Sequence, residues 1–369
     1  MKNENKRTVK VGIIGCGGIA KGKHLPSLSA LGDVEIVAFC DIIIERAVEC
    51  AKKFGVPNAA VYENYKDLLA DPEIEVVHVC TPNRSHSFIT VDALEAGKHV
   101  MCEKPMAINS AEAKKMLDAA ERTGKKLTIG YQNRQTEEAR ALKTESEKGT
   151  FGEIYYAKAT ALRRRAVPTW GVFLNEYEQG GGPLIDIGTH SLDLTLWMMN
   201  NYKPKYCLGT SYHKLNGLKP EEQGNADAWG SWDPEKFTVE DSAFGFVVME
   251  NGATVIVEAS WALNTVETRE ATTLICGTKA GGDTWDGARV NGVRNGETYC
   301  DNVTESAGVI KIKGDGSHTG DACLIEARQW IDAVKNDTDP CVLPYQAYTV
   351  TRILEGIYNS AKSGEIFRF

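Results

Sequence analysis

The stretch "VKVGIIGCGGIA", Val9 to Ala20, decides how the rest of the chain is read. An apolar run without alternation ends in Gly15-x-Gly17-x-x-Ala20 and passes into a helix-like stretch reaching about Leu31. A continuously apolar run of this length is a strand buried on both faces. In that setting each small residue has its own task. Gly15 permits a tight turn, Gly17 lets the backbone approach a pyrophosphate, and Ala20 keeps the helix close to the strand. Gly18 and Ile19 complete the turn, and the helix N-terminus offers free N–H groups to phosphates. The next apolar run, "VEIVAFCD" (Val34–Asp41), ends in an acid about 20 residues beyond the glycines, where a carboxylate bonds a ribose hydroxyl. Ile42 and Ile43 follow, with no arginine to receive a 2′-phosphate, which favours NAD over NADP. A glycine-rich turn in an unrelated α/β protein is the competing reading. The matching strand, helix and acid argue against it.

Working outward, the same grammar repeats. "EVVHVCTP" (Glu75–Pro82), "KHVMCEKP" (Lys98–Pro105) and "KLTIG" (Lys126–Gly130) read as buried strands. Helical patterns, "HSFITVDALEAG" and "SAEAKKMLDAAERTG", separate them. This alternation predicts an α/β domain with a parallel sheet covered on both faces. After about Gln132 the pattern changes to long strand-like runs: Glu153–Arg165, Asp241–Leu263 and Ala271–Gly281. Turns such as "ENGA" join them, which predicts hairpins in an open, mostly antiparallel sheet. The expected division is therefore 1–132 for a Rossmann domain and 133–369 for a second α/β domain. An amphipathic helix at about 345–362 is expected to pack back near the first domain. Gly217–Lys236 reads as a long polar loop.

Composition narrows the classes. The 369 residues are 42% hydrophobic and 25% charged, a globular profile. A net charge of −8 argues against nucleic acid or an anionic membrane surface as partner. No apolar run approaches the roughly 20 residues that span a bilayer. The basic start is followed by too short an apolar segment for a signal peptide, and that segment runs into the glycine motif. The ten cysteines contain no C-x-x-C pair. They read as buried free thiols in a cytoplasmic protein, with no zinc site.

A second stretch carries chemistry. "GGGPLIDIGTH", Gly180 to His190, breaks the chain and then places Asp186 and His190 four residues apart. On a helix these share one face, next to a loop. Histidine is suited to accept a hydroxyl proton near neutral pH. Asp193, three residues beyond His190, is a rival for the orienting carboxylate. A packed histidine on an apolar helix is the plain alternative. His24 reads as packing the first helix, and His78 and His99 as core. Arg163–Arg165 reads as a solvated run, with Arg164 facing opposite to its neighbours. Trp170, Trp229, Trp232 and Trp261 read as core, or, for Trp170 and the loop pair, as stacking surfaces for a sugar ring or an aromatic aglycone.

"CTPNRSHSFITVDALEAGKHVMCEKPMA", together with the two glycine stretches, resembles the glucose–fructose oxidoreductase/inositol dehydrogenase (Gfo/Idh/MocA) family over essentially the whole chain. The resemblance implies an N-terminal Rossmann domain, a C-terminal α/β domain with an open antiparallel sheet, and homo-oligomers formed through that sheet. It implies NAD as cofactor and oxidation or reduction of a secondary hydroxyl on a sugar, cyclitol or derivative. By position, Thr81, Pro82, Asn83 and His86 should lie along the cofactor. Glu103 and Lys104 should lie near the nicotinamide and the reacting carbon, with Gln132 and Asn133 also near the cofactor. Asp186 and His190 match the substrate-side acid and histidine, and Arg164 and Trp170 match residues that cover the nicotinamide. Lys104 would stabilise the alkoxide-like oxygen and share the proton work. Asn175, Glu176 and Tyr177 are further candidates for substrate contact. The favoured reaction is oxidation of a glucoside at C3. Inositol or polyol dehydrogenation, an NAD-recycling redox elimination that cleaves a glycosidic bond, and a non-catalytic NAD-binding regulator are the alternatives.

Overall fold

The computed structural model describes residues 7–224, 229–307 and 322–369, so the first six residues and part of the loop 217–236 lie outside the described residues. β1 (Val9–Ile14), β2 (Val34–Cys40), β3 (Ala60–Tyr62), β4 (Val76–Val79), β5 (His99–Cys102) and β6 (Leu127–Ile129) form one sheet in the order β3-β2-β1-β4-β5-β6. Every pairing in it is parallel. The order reverses between β1 and β4, the switch point at which such sheets bind nucleotides beyond the strand ends. Val9, Val11, Ile13, Val76 and Val77 are fully buried, as the unalternating runs require.

Helices cross between the strands: α1 (Leu25–Ser29), α2 (Ile44–Phe54), α3 (Tyr65–Leu69), α4 (Asn83–Glu95) and α5 (Ser110–Thr123). Before α1, residues Ala20–His24 form a π turn. The second unit begins with α6 (Glu137–Glu147). It continues through β7 (Ile154–Leu162), α7 (Glu176–Gln179), a π turn at Leu184–Gly188, and α8 (Thr189–Met199). Its sheet adds β8 (Pro204–Tyr212), β9 (Ser242–Met249), β10 (Thr254–Ser260), β11 (Arg269–Gly277), β12 (Ala280–Asp283), β13 (Arg289–Arg294), β14 (Glu297–Asn302) and β15 (Phe367–Arg368). The order is β14-β13-β12-β11-β7-β10-β9-β8-β15. Only the β7–β10 pairing among the described residues is parallel. β9 and β10 are the hairpin expected around "ENGA", closed by Met249 N–H on the Ala253 carbonyl.

The chain divides differently from the expected 1–132 and 133–369. Of the described residues, 7–107, 111–135 and 322–345 form the first unit, and the remainder form the second. The physical reason is α9 (Ala322–Asn336). Its Leu324, Ile325, Trp330, Ile331 and Val334 join Val9, Val11, Leu25 and Leu28 in one core. Removing an indole such as that of Trp330 from this core would cost about 3–5 kcal/mol. The last helix, α10 (Pro344–Ser363), belongs to the second unit from Gln346 onward. Ile357 lies against Gly209 and Gly245 of that sheet, where a Cβ would collide with it. The expected β7 run also stops short, at Leu162, so Arg163–Arg165 lie beyond the strand.

Candidate active site

The glycine turn after β1 contains two kinds of glycine. Gly15 has φ +91°, and a Cβ there would lie 2.7 Å from the Cys80 carbonyl. The fold itself therefore requires glycine at that point. Gly17 and Gly18 have no atom within 4 Å of an added Cβ. Packing does not demand glycine there, and the bare backbone is left open to a closely approaching pyrophosphate. Asp41 at the end of β2 accepts the Cys16 N–H through Oδ2 at 2.8 Å and the Ile43 N–H through Oδ1 at 2.9 Å. Its carboxylate thus ties the glycine turn to β2 while each oxygen keeps acceptor capacity for a ribose hydroxyl. Ile42, next to that acid in sequence, is 85% exposed, an apolar surface suited to an adenine ring. Ala20 is fully buried, consistent with its spacing task. The residues present fit a dinucleotide.

Pro82 caps α4, and Asn83 opens it. The Thr81 hydroxyl accepts from Ser85 at 2.7 Å. His86 is buried, with Nε2 2.8 Å from the Thr81 carbonyl and Nδ1 2.8 Å from the Pro105 carbonyl. Its ring links the turn after β4 to the turn after β5. Burial pushes its pKa down, against the pull of those two carbonyls.

Glu103 lies in a buried chain of charge that sequence reading missed. Its Oε1 accepts from Lys23 at 2.6 Å and sits 2.7 Å from His24 Nε2, while Oε2 accepts the Lys104 backbone N–H at 3.1 Å. Lys23 also pairs with Glu326 at 2.9 Å and donates to Gln132 at 3.0 Å. His24 Nδ1 meets His78 Nδ1 at 2.8 Å. Burial works against the Lys23 ammonium, but Glu103 and Glu326 outweigh it and hold its pKa up. Burial would likewise raise Glu103, yet Lys23 and His24 keep its carboxylate well below the usual range. Burial lowers both His24 and His78. His24 is therefore more than packing for the first helix; His78 is core as read, whereas His99, at the start of β5, is only partly buried. Gly130 leaves room for this pair, because an added Cβ would come within 2.9 Å of Glu103 Oε1 and Lys23 Nζ and would have to displace them.

In the second unit the glycine break has a packing cause. Gly180 has φ +79°, and a Cβ there would meet Ile108 at 2.7 Å. Cβ atoms at Gly181 and Gly182 would strike Tyr358 and the Glu240 backbone. The π turn that follows carries Asp186, and α8 carries His190, each 8% exposed. A change of helix type thus falls between the two residues, Asp186 in the π turn and His190 in the first turn of α8. Trp261 donates its indole N–H to Asp186 Oδ2 at 3.1 Å, so this tryptophan is core and also orients the acid. Asp193 is more deeply buried than Asp186.

The arginines are held within the second unit. Arg163 makes two 2.8 Å bonds to Glu270 and lies over the Trp229 ring. Arg164 donates to the Thr265 and Val266 carbonyls at 2.8 and 3.0 Å. Arg165 bonds Asn264. Asn175 caps α7 by accepting the Tyr177 and Glu178 N–H groups, and Tyr177 is exposed. Trp170 is 49% exposed and meets Trp229 edge-on with ring centroids 4.8 Å apart. Trp232 is buried in the core instead.

The parallel sheet, its open glycine turn at the switch point and the acid of β2 define a dinucleotide-binding protein of the Rossmann class. A model described as the oxidoreductase family, NAD-binding Rossmann fold, matches residues 9–131, and one for the GFO/IDH/MocA C-terminal domain matches residues 139–281. The chain belongs to the Gfo/Idh/MocA family and is an NAD-dependent oxidoreductase. It is 35% identical to D-glucoside 3-dehydrogenase of Escherichia coli over 96% of each chain. It is 33% identical to inositol 2-dehydrogenase of Salmonella typhimurium over 53% of this chain and 56% of that one. The fold is shared with levoglucosan dehydrogenase in complex with NADH, at a TM-score of 0.81 and 23% identity over 98% of this chain and 99% of that one.

Proposed function

We propose that the protein oxidises a secondary hydroxyl of a sugar or glycoside, with C3 of a glucoside as the favoured position. The observation that carries this reading is the buried Asp186, oriented by Trp261, one turn before His190, in a chain similar throughout to a D-glucoside 3-dehydrogenase. Bound NAD supplies the hydride acceptor. His190 takes the proton from the reacting hydroxyl, and Asp186 favours its imidazolium form. Lys104 donates to the oxygen as negative charge grows on it. Glu103, fixed by Lys23 and His24, holds the Lys104 backbone. Gly17, Gly18 and Asp41 receive the dinucleotide, with Thr81, Pro82, Asn83 and Gln132 along it. The edge-on pair Trp170 and Trp229 offers an apolar surface to a pyranose face, with Arg164, Asn175 and Tyr177 as polar neighbours.

The sheet of the second unit presents exposed Leu208 and Phe246, which are register partners on β8 and β9. That face suits self-association into a homo-oligomer. Among the described residues no helix is long and apolar enough to cross a membrane.

The test is nicotinamide reduction with a methyl glucoside and with its 3-deoxy analogue. The glucoside should react and the analogue should be inert, because a site built to bond a hydroxyl rejects its absence strongly. Equal rates would overturn the C3 assignment.

A further inference from the structure

The glycine break before Asp186 presses the chain onto a single buried carboxylate. Glu240 is 4% exposed. Its Oε2 accepts the Gly182 N–H at 2.8 Å, and its Oε1 accepts the Leu184 N–H at 3.2 Å and the Tyr358 hydroxyl at 2.7 Å. Three donors therefore converge on one carboxylate, two of them from the backbone that leads into Asp186. Gly181 and Gly182 lack side chains where any Cβ would strike Tyr358 or Glu240, so the approach is built into the sequence. The next residue closes the frame. Asp241 accepts the Trp261 backbone N–H on its carbonyl at 3.1 Å, and the Trp261 indole in turn holds Asp186. The Asp241 side chain fixes the loop after β8 by accepting the Lys214, Leu215 and Asn216 N–H groups. The segment 240–241 thus grips the turn carrying Asp186 from two directions.

We infer that Glu240, braced by Tyr358, is a positioning residue for the Asp186–His190 pair, and that its ionised form is the one that holds the turn in place. The inference rests on the reading of that pair as the group that moves the substrate proton. As a carboxylate, Glu240 satisfies all three donors. Protonated, it directs a hydrogen at one of them and must release that bond. Burial pushes its pKa up to about 7, against the pull of Tyr358 and the two backbone donors. Tyr358 is pushed well above its ordinary value by burial and by Glu240, so it remains a donor. Glu240 and Tyr358 also line a cavity of about 270 Å³. The other charged or titratable groups around it are Glu176, His213, Glu355 and Lys362, from α7, the residue after β8, and α10. Glu355 accepts the Ser110 N–H.

The experiment compares wild type, Glu240→Gln, Tyr358→Phe and His190→Ala, measuring kcat, KM, NAD affinity and the pH profile of kcat. Glu240→Gln keeps the volume but offers only one acceptor end, so one backbone donor is lost at every pH. The expected result is a fall in kcat of about ten- to a hundredfold, with KM within about threefold and NAD affinity unchanged. The acid limb of the profile should lose one ionisation. Tyr358→Phe should lower kcat by a smaller factor and displace that limb. If Glu240→Gln does not fold, Tyr358→Phe carries the test through the same limb. Wild-type kcat and an unaltered acid limb in the folded variants, with His190→Ala impaired, would overturn this inference alone. Full turnover by His190→Ala would instead overturn the reading on which it rests.

Discussion

The Trp261 indole donates to Asp186 Oδ2 at 3.1 Å, and this bond orients a carboxylate that is buried together with its donor. A hydrogen bond to a charged acceptor contributes about 1.5–3 kcal/mol. Trp261→Phe should therefore lower kcat by about ten- to a hundredfold while NAD affinity stays within about twofold. Steady-state kinetics with fluorescence titration of NADH would check both. Unchanged kcat in a folded Trp261→Phe protein would mean that the indole only fills space.

His190→Ala should lower kcat by about 10²–10⁴, the range for losing a general base, and leave NAD binding nearly intact. Lys104→Met should be similarly damaging, because the donor to the developing oxyanion is gone. Near-wild-type turnover by either variant on the true substrate would remove that residue from the mechanism.

Asp41 should make NAD bind at least about tenfold more tightly than NADP, or about 1.4 kcal/mol. Asp41→Ser with Ile42→Arg should narrow or reverse this preference. Asp41 also holds the Cys16 N–H, so the double variant should lose about 1 kcal/mol of stability as well. Calorimetric titration with both cofactors and a denaturant melt separate the two effects. Equal wild-type affinity for NAD and NADP would contradict the role given to Asp41.

Stability should fall on acidification below about pH 6.5. His24, His78 and His86 are buried with lowered pKa values, and His99 is pushed down to about 4 by burial and by Lys125 and Lys126. Each group binds a proton more readily unfolded than folded. Its contribution is present above the unfolded pKa and is lost as pH falls towards the folded one, at up to about 1.4 kcal/mol per pH unit per group. Glu103, held low by Lys23 and His24, adds a further loss below about pH 4.5. Glu240 acts in the opposite sense. Its raised pKa contributes stability below about pH 4.5 that is lost as pH rises through about 7. Urea melts between pH 5 and 8 should show the histidine trend, with Glu240→Gln steepening it. A flat profile in both proteins would contradict these assignments.

What was legible in the sequence follows from the range of the interactions. Five strands of the first sheet announce themselves as continuous apolar runs. β3 does not, because it has three half-buried residues at the sheet edge. The return of α9 to the first core was hidden, since its amphipathic pattern does not say which sheet it covers. At the site, Asp41, Glu103, Asp186 and His190 stand in local motifs. Lys23 on Glu103 and Trp261 on Asp186 come from distant segments, as do Glu326 beside Lys23 and Tyr358 beside Glu240, and no short pattern links them. The three glycines before Asp186 were visible as a break, but their cause lies in Ile108, Glu240 and Tyr358.

The central claim, oxidation of a glucoside at C3, is tested most directly by NMR of the product formed from NAD and a panel of glucosides, free hexoses and inositols. A 3-keto glucoside, with the aglycone still attached and one equivalent of NADH, is the predicted result. Oxidation of inositols alone, release of aglycone without net NADH, or reaction only with a non-carbohydrate such as a 2-hydroxy acid would contradict it.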